Sequence, residues 1–422
     1  MADHSKFWKP FFGSSFVIFF NTLKAFVINK LLAIFLTPSL YASVGQFMNM
    51  KTIGEASSSL AMQNGWVSLT AKNKNDLNIL HGVWYGGFRI TIIASVITCI
   101  LAVVFCFTFP LELLFKDIPV RHIQAAIIFA IPGIFATNII AICSSVMNGL
   151  GRFSSYAKIN VISAVWQMAW VALFLYTGKL SVLLIIATES IIASLFALII
   201  ASKAGFSFNA IKHTVLDIRK PWVSFALMGL VPMILTPLVL TLVRSFIGLK
   251  LGFDAAGIWQ GIWKISDFFT SIFSAIIGVI LLPKISSSLT KEKFNEIFYP
   301  TFLKFIAIVT GIIFCVFIFR SQVILLMLSN KYIGAADYIP YQLIGDFFRS
   351  ISWCFGFVLM AKLKTKSFIA IETFSQLFFA IATYFGILFF GFYGPVFAYA
   401  LENFISLILL LIAFKGIKWN SI

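Results

Sequence analysis

The chain reads as an all-α polytopic membrane protein with about twelve transmembrane helices. Of its 422 residues, 60% are hydrophobic and only 11% charged, a balance foreign to soluble globular domains. Apolar stretches of twenty or more residues recur from end to end, and each is long enough to cross a hydrocarbon core of about 30 Å. No long polar stretch lies between them, so no sizeable soluble domain is expected.

Taken in order, the predicted helices of the first half are 11–36, 44–70, 83–109, 121–146, 156–177 and 180–203. Those of the second half are 222–249, 256–284, 297–319, 338–360, 367–390 and 394–414. The first is not a cleavable signal peptide, because it is too long, carries Lys24 and Lys30 and lacks a small-residue cleavage site. The fourth contains Pro132 and the seventh Pro232 and Pro237. Proline removes a backbone hydrogen bond and kinks a helix, which membrane helices tolerate where neighbours satisfy the freed carbonyls. These kinks read either as bending gates or as static bends.

The most polar internal segment, Lys203–Pro221, falls near the midpoint and carries Lys212, His213, Asp217, Arg219 and Lys220. It predicts an N-lobe over 1–203, a cytoplasmic linker over 204–221, and a C-lobe over 222–422 that ends in a short cytoplasmic tail. Six-helix halves of this kind are commonly parallel repeats. An internal echo fits: the second helix of each half presents a cation and then an acid within a turn, Lys51 with Glu55 and Lys264 with Asp267.

The net charge of +17 is scattered over short loops, as topology determinants are, rather than gathered into a nucleic-acid patch. With a cytoplasmic N-terminus, Lys and Arg outside the helices split 18 inside against 6 outside, which predicts both termini in the cytoplasm. The five cysteines lie in apolar segments without metal-ligand spacing and read as buried free thiols. No metal or cofactor is expected.

Within the predicted spans stand eight cations, Lys24, Lys30, Lys51, Arg89, Arg244, Lys264, Lys304 and Arg349. Six acids join them: Glu55, Glu189, Asp267, Asp346, Glu372 and Glu402. A charge at the bilayer centre costs roughly 2.5–3.5 kcal/mol even on lenient scales, so most of these must face a wet interior or snorkel from helix ends. Lys24, central and without an acid within a turn, is the leading anion contact. Lys264 with Asp267, and Asp346 with Arg349, share helix faces by their i,i+3 spacing. Each pair reads either as an ion pair that locks helices or as a cavity wall, and so does Lys51 with Glu55. Arg89 and Lys304 are also open to snorkelling. Arg244, near the outer end of its helix, reads as an anchor or rim contact. Glu189 and Glu402 lie deep without a partner visible in the sequence. The cations exceed the acids by two, which points to a cargo bearing phosphate or carboxylate.

Several motifs carry a family resemblance. Gly257–Gly261 (G-I-W-Q-G), Ile265-Ser266-Asp267, Leu281-Leu282-Pro283 and Ser288-Leu289-Thr290 resemble the eighth helix and its exit in Wzx-type lipid-linked oligosaccharide flippases. Leu328-Ser329-Asn330-Lys331, Gln342–Asp346, Ala361-Lys362 and Glu372 with Ser375-Gln376 continue the likeness, which is dense over about 250–380. The amino half matches loosely, through features such as Asn29–Ala33. The resemblance implies a MATE-like fold of two six-helix lobes around a cationic cavity. It implies undecaprenyl-pyrophosphate-linked oligosaccharide as cargo, flipped across the bacterial inner membrane, and the pathway's polymerase and chain-length proteins as partners beside membrane lipids. Family acids map onto Asp267, Asp346 and Glu372.

The expected mechanism is alternating access. Lys24, Lys51, Arg89 and Lys304 lead the pyrophosphate contacts, and Lys264 and Arg349 complete the cavity cations. Glu55, Asp267, Asp346, Glu372 and Glu402 are the candidates for coupling to H+ or Na+, since no nucleotide-binding loop is present. The rivals are a MATE-like small-molecule antiporter and a polytopic glycosyltransferase, polymerase or ligase. The enzyme class would call for an acid-rich catalytic loop, and the longest loop here carries one acid, Asp217.

Overall fold

A computed structural model describes residues 4–178, 181–206, 220–277, 291–361 and 364–417. The described residues form helices and turns, with no strand among them. The helices are α1 (His4–Phe35), α2 (Pro38–Ser59), α3 (Gln63–Asn73), α4 (Leu77–Thr108), α5 (Val120–Gly149), α6 (Phe153–Thr177), α7 (Val182–Thr188) and α8 (Ile191–Lys203). Then follow α9 (Lys220–Leu251), α10 (Phe253–Ile276), α11 (Lys291–Ile318), α12 (Arg320–Met327), α13 (Ile339–Ala361), α14 (Thr365–Phe390) and α15 (Tyr393–Lys415).

Nine spans among the described residues are long and apolar enough to cross a membrane, with α7 and α8 together forming one of them. Three further helices of 22 to 24 residues, α2, α10 and α13, are long enough but less apolar. They are the helices that carry Lys51 with Glu55, Lys264 with Asp267, and Asp346 with Arg349. The polar helices and the charged pairs are thus the same elements. The outer face of α4 beyond Arg89 is a run of hydrocarbon: Ile92, Ile93, Val96, Ile97, Ile100 and Leu101 all stand exposed. A patch of that extent on a single chain marks a lipid surface, and the protein is a multi-pass membrane protein.

Two predicted helices are broken. The expected helix 44–70 stops at Ser59 and resumes at Gln63, with Leu60 and Ala61 at φ of +50° and +53°. Ser58 and Ser59 both turn their hydroxyls onto the Glu55 carbonyl, at 3.1 and 2.7 Å. Such back-bonding competes with the helical ladder, and no Gly or Pro announces it. The expected helix 180–203 breaks at Glu189–Ser190. The loop expected over 320–337 holds α12 and a 3₁₀ stretch, Asn330–Asp337. Pro132, Pro232 and Pro237 lie inside continuous helices, α5 and α9. Of the linker 204–221, residues 207–219 lie outside the described residues, as do the motifs Leu281-Leu282-Pro283 and Ser288-Leu289-Thr290.

The chain forms two compact units, Met1–Leu31 with Val44–Pro237, and Leu32–Ser43 with Leu238–Ile422. In the first, α5 is the hub against which α3, α4, α6, α7 and α8 pack. Its core gathers Trp66, Trp84, Met147, Phe206 and Trp222. The indoles keep their polar ends satisfied: Trp84 donates to Thr70 Oγ1 at 3.0 Å and Trp222 to the Val83 carbonyl at 3.1 Å.

In the second unit, α15 packs on α13 and α14, while α10 and α11 pack on α13. Phe273, Phe294, Phe298, Phe305 and Phe355 fill its core. The turn Leu32–Ser43 is clamped within this unit. Lys331 Nζ donates to the carbonyls of Ile34 and Leu36 at 2.8 and 3.1 Å, and Ser329 Oγ to that of Ala33 at 2.9 Å. Those of Ala33 and Ile34 are among the last carbonyls of α1, which no intrahelical partner can reach, and Leu36 lies just past its end. Asp254 Oδ1 accepts from the Ser39 backbone at 3.1 Å. Gly257 lets the chain pass: a Cβ there would sit 1.9 Å from the Pro38 carbonyl oxygen. The cysteines are free as expected, but only Cys106, Cys143 and Cys354 are buried, while Cys315 is exposed on the apolar outer face of α11.

Gly257→Ala should therefore destabilise the protein by about 1–3 kcal/mol, the usual cost of overpacking. It should lower the thermal midpoint of the purified protein and its yield in membranes. A midpoint equal to wild type would mean that the Pro38 turn is not packed as described.

Candidate functional site

The first unit encloses a cavity of about 390 Å³ walled by polar side chains of α1, α2, α5, α6 and the α7–α8 break. Its charged members are Lys24, Lys51, Glu55 and Glu189. Lys51, only 8% exposed, points from α2 to the break. Its ammonium donates to Glu189 Oε1 and to the Ile186 carbonyl, both at 2.9 Å. Glu55, one turn along α2, stands 4.0 Å from the same nitrogen. Lys24 Nζ, from α1, donates to the neutral amide oxygen of Gln167 at 3.0 Å.

The geometry of the break explains the placement of Glu189. Ile186 belongs to the last turn of α7, where carbonyls lack helical partners, and Lys51 takes one of them. Ser190 Oγ donates to the Gly133 carbonyl at 2.8 Å. Gly133 has no side chain in the way: a Cβ there would lie 1.9 Å from the Ala187 carbonyl oxygen. Gly133 follows Pro132, which removes one amide from α5. Thus α5 receives the break on its proline–glycine step.

The second unit holds a different arrangement. Asp346 of α13, 1% exposed, accepts at Oδ1 from Tyr399 OH at 2.9 Å and from Ser266 Oγ. Its Oδ2 has no hydrogen-bond partner. Arg349, one turn on, donates to the same Tyr399 hydroxyl at 3.2 Å, so the expected Asp346–Arg349 pair meets through tyrosine rather than directly. The guanidinium lies 4.9 Å from the Trp353 ring centre and 5.8 Å from that of Trp263, within cation–π range. A small cavity of about 40 Å³ borders Arg349, Glu372, Gln376 and Glu402, and Gln376 Nε2 reaches Glu372 Oε1 at 3.3 Å.

The predicted site residues therefore separate into groups. Lys24, Lys51 and Glu55 share one cavity, and Arg349, Glu372 and Glu402 share another, with Asp346 behind Tyr399. Lys264 and Asp267 form a loose pair at 3.9 Å on an open face, with side chains 31% and 52% exposed. Arg89 and Lys304 are exposed and line neither cavity. Arg244 is corrected: instead of a rim contact it is 1% exposed. Its Nε donates to Gln260 Oε1 at 3.1 Å, its Nη2 reaches the same oxygen, and the Trp259 ring lies 5.8 Å away. The physical reason is that α10 lays Trp259 and Gln260 over the end of α9. The formal charge of the first cavity is balanced, two lysines against two glutamates, so the excess of two cations counted over all the spans lies outside it. Gln167 and Tyr399 went unnoticed in the sequence, and Ser266 entered only as part of a family motif, without a role. Their signals are faint: a polar residue mid-span, a tyrosine three residues before Glu402, and a serine beside Asp267.

No family model matches the chain. Over 148 residues it is 29% identical to the Lipid III flippase of Escherichia coli (strain K12) and, equally, to that of Shigella flexneri. That match spans 35% of this chain and about a third, 36%, of each relative's length. Among solved structures it resembles an inward-facing multidrug resistance MATE family transporter of the MOP superfamily, at a TM-score of 0.74 and 12% identity over 94% of this chain and 93% of the other. It also resembles the Lipid II flippase MurJ in an inward closed conformation, at 0.70 and 17% identity over 96% and 87%. The fold is MATE-like.

The cavity description has a direct test in a cysteine-free background. Thr52→Cys, on the wall of the first cavity, should react with a charged, membrane-impermeant thiol reagent in open membranes. Ser350→Cys, fully buried on α13, should stay silent. Equal protection of both would replace the open cavity with closed packing.

Proposed function

We propose that this protein is a flippase carrying undecaprenyl-pyrophosphate-linked oligosaccharide, an O-antigen repeat unit, from the cytoplasmic to the periplasmic leaflet of the bacterial inner membrane by alternating access. The observation that carries the reading is a roomy polar cavity, armed with two lysines, inside a unit whose outer faces are hydrocarbon. A volume of about 390 Å³ lies in the ordinary range for ligand sites, roughly 300–1,000 Å³. A lipid-linked sugar diphosphate needs such a path for its head alone, since its prenyl tail is at home in the bilayer. Lys24 is the leading diphosphate contact, because its ammonium is hydrogen-bonded to a neutral amide, while serine, threonine and asparagine of the wall offer hydrogen bonds to sugar hydroxyls. The partial match to the Lipid III flippases and the fold shared with the Lipid II flippase support this choice.

Energy then comes from a coupling ion, H+ or Na+. Asp346 suits that role: one carboxylate oxygen is held by two hydroxyls while the other is unpartnered. Gain and loss of a proton there alters the hold on Tyr399, and through it on Arg349. Glu372 and Glu402 face the same arginine and complete the relay. Both termini lie in the cytoplasm in this reading, and the partners are membrane lipids and the polymerase and chain-length proteins of the pathway. The second reading, a MATE-like antiporter of small organic cations, is favoured by the TM-score of 0.74 to a drug transporter, and Glu55 and Glu189 would be its cargo contacts.

In proteoliposomes, wild-type protein should move a fluorescent prenyl-diphosphate oligosaccharide between leaflets. Lys24→Ala should slow this by more than about tenfold, the loss of one charge-assisted contact, while Lys24→Arg retains most of the rate. Movement of small organic cations with no lipid movement would instead establish the antiporter.

Asp346→Asn should leave the protein folded, because an amide oxygen still accepts from Tyr399 and Ser266. It should slow flipping and remove its response to a collapsed pH gradient. An unchanged rate with an unchanged gradient response would take Asp346 out of the coupling mechanism.

A further inference from the structure

We propose that Glu189 is a displaceable counter-anion: it pairs with Lys51 between transport cycles and yields that lysine to the anionic group of the cargo. The break between α7 and α8 is the joint on which it moves. The inference rests on the flippase reading of the same cavity and adds a specificity-determining residue to it.

The first argument is the break itself. Between Ser181 and Ala204 there is no glycine or proline, and the segment's own contribution to the break is the Thr188 hydroxyl back-bonded to the Leu184 carbonyl at 2.8 Å. The interruption is held from outside, by Ser190 on the Gly133 carbonyl and by Lys51 on both Ile186 O and Glu189 Oε1. One ammonium thus grips the joint twice. α7 has only seven residues, less than a helix needs to persist by itself, so its geometry follows its contacts.

The second argument is charge. Two lysines face two glutamates in this cavity. A diphosphate entering it brings a net negative charge into a poorly solvated space, which is costly unless cations turn to it. Lys51 is the cation that must be released, and Glu189 is the partner that can leave. Glu55 stays on α2, a turn from Lys51 and 4.0 Å from its ammonium, and moves with it. Glu189 instead sits at the joint, whose position is set by its contacts, and lines the cavity. A prenyl monophosphate or a neutral glycolipid competes less well for Lys51, so Glu189 sets a threshold of charge for admission.

The test uses the full chain in nanodiscs and farnesyl diphosphate as the probe. Glu189→Gln keeps the shape of the joint and removes the competing charge. It should tighten farnesyl diphosphate binding by about tenfold, the scale of one ion pair in a sheltered site, and narrow the preference for diphosphate over farnesyl monophosphate. Lys24→Gln should weaken binding of both. A wild-type affinity or a weaker one in Glu189→Gln overturns the inference and leaves the flippase reading intact. Failure of wild-type protein to bind any prenyl diphosphate overturns both. A second measurement covers the case in which Glu189→Gln does not accumulate. Thr188→Cys, beside the joint in a cysteine-free background, should change its thiol-labelling rate at least about threefold when farnesyl diphosphate saturates the protein, with Ser350→Cys silent throughout. An unchanged Thr188→Cys rate overturns the moving joint.

Discussion

A cation surrounded by helices that are themselves surrounded by lipid has no bulk water to fall back on, and Lys51 shows how the first unit answers that constraint. Its charge is met by one glutamate at contact distance and a second a turn away, and its remaining donors find a backbone carbonyl. Removing both glutamates would leave an uncompensated buried charge, the expensive outcome. The neighbouring features follow from this demand. A carbonyl is available only because α7 ends early, and α7 can end there because Ser190 and Gly133 hold its far side. The cavity, the break and the ion pair form one structure.

The second unit meets the same constraint with hydroxyls and rings. Asp346 and Arg349 lie one turn apart, yet both turn to Tyr399 rather than to each other. The tyrosine hydroxyl donates to the carboxylate and accepts from the guanidinium, so the two charges communicate through a single proton-bearing group. Aromatic faces of Trp353 and Trp263 shelter the arginine. Arg244 is handled in a related way, with an amide oxygen and an indole. One unit therefore stores its buried charge in an ion-pair cluster on the wall of a cavity of about 390 Å³ and the other in a tight relay beside a cavity too small for a sugar. In the proposed flippase reading, the first arrangement takes the cargo and the second the coupling ion.

Small residues make these approaches possible. Gly133 and Gly257 stand where a carbonyl oxygen of another segment occupies the place of a Cβ. In the first unit this seats the joint that carries Glu189. In the second it seats the Leu32–Ser43 turn, whose carbonyls are then collected by Ser329 and Lys331. Dispersion and hydrogen bonding replace the hydrophobic effect as the binding force inside a bilayer, and both depend on backbones coming close.

Hydropathy and length by themselves determined that this is a helical, many-span membrane protein, because hydrocarbon admits little else. The charges inside the spans also marked α2, α10 and α13 as the polar helices, since a residue so costly in lipid is kept only where its surroundings can hold it. Spacing along one helix placed Lys51 beside Glu55 and Lys264 beside Asp267. The tertiary structure decided the partners that no spacing along one helix encodes. Glu189 is 138 positions from Lys51, and Gln167 is 143 from Lys24. The structure also buried Arg244 and opened the Lys264–Asp267 pair, because coverage by a neighbouring helix is a property of packing. The two helix breaks were silent for the same reason: serine back-bonding and a lysine grip on a carbonyl act through geometry, whereas the sequence announces breaks only through glycine and proline.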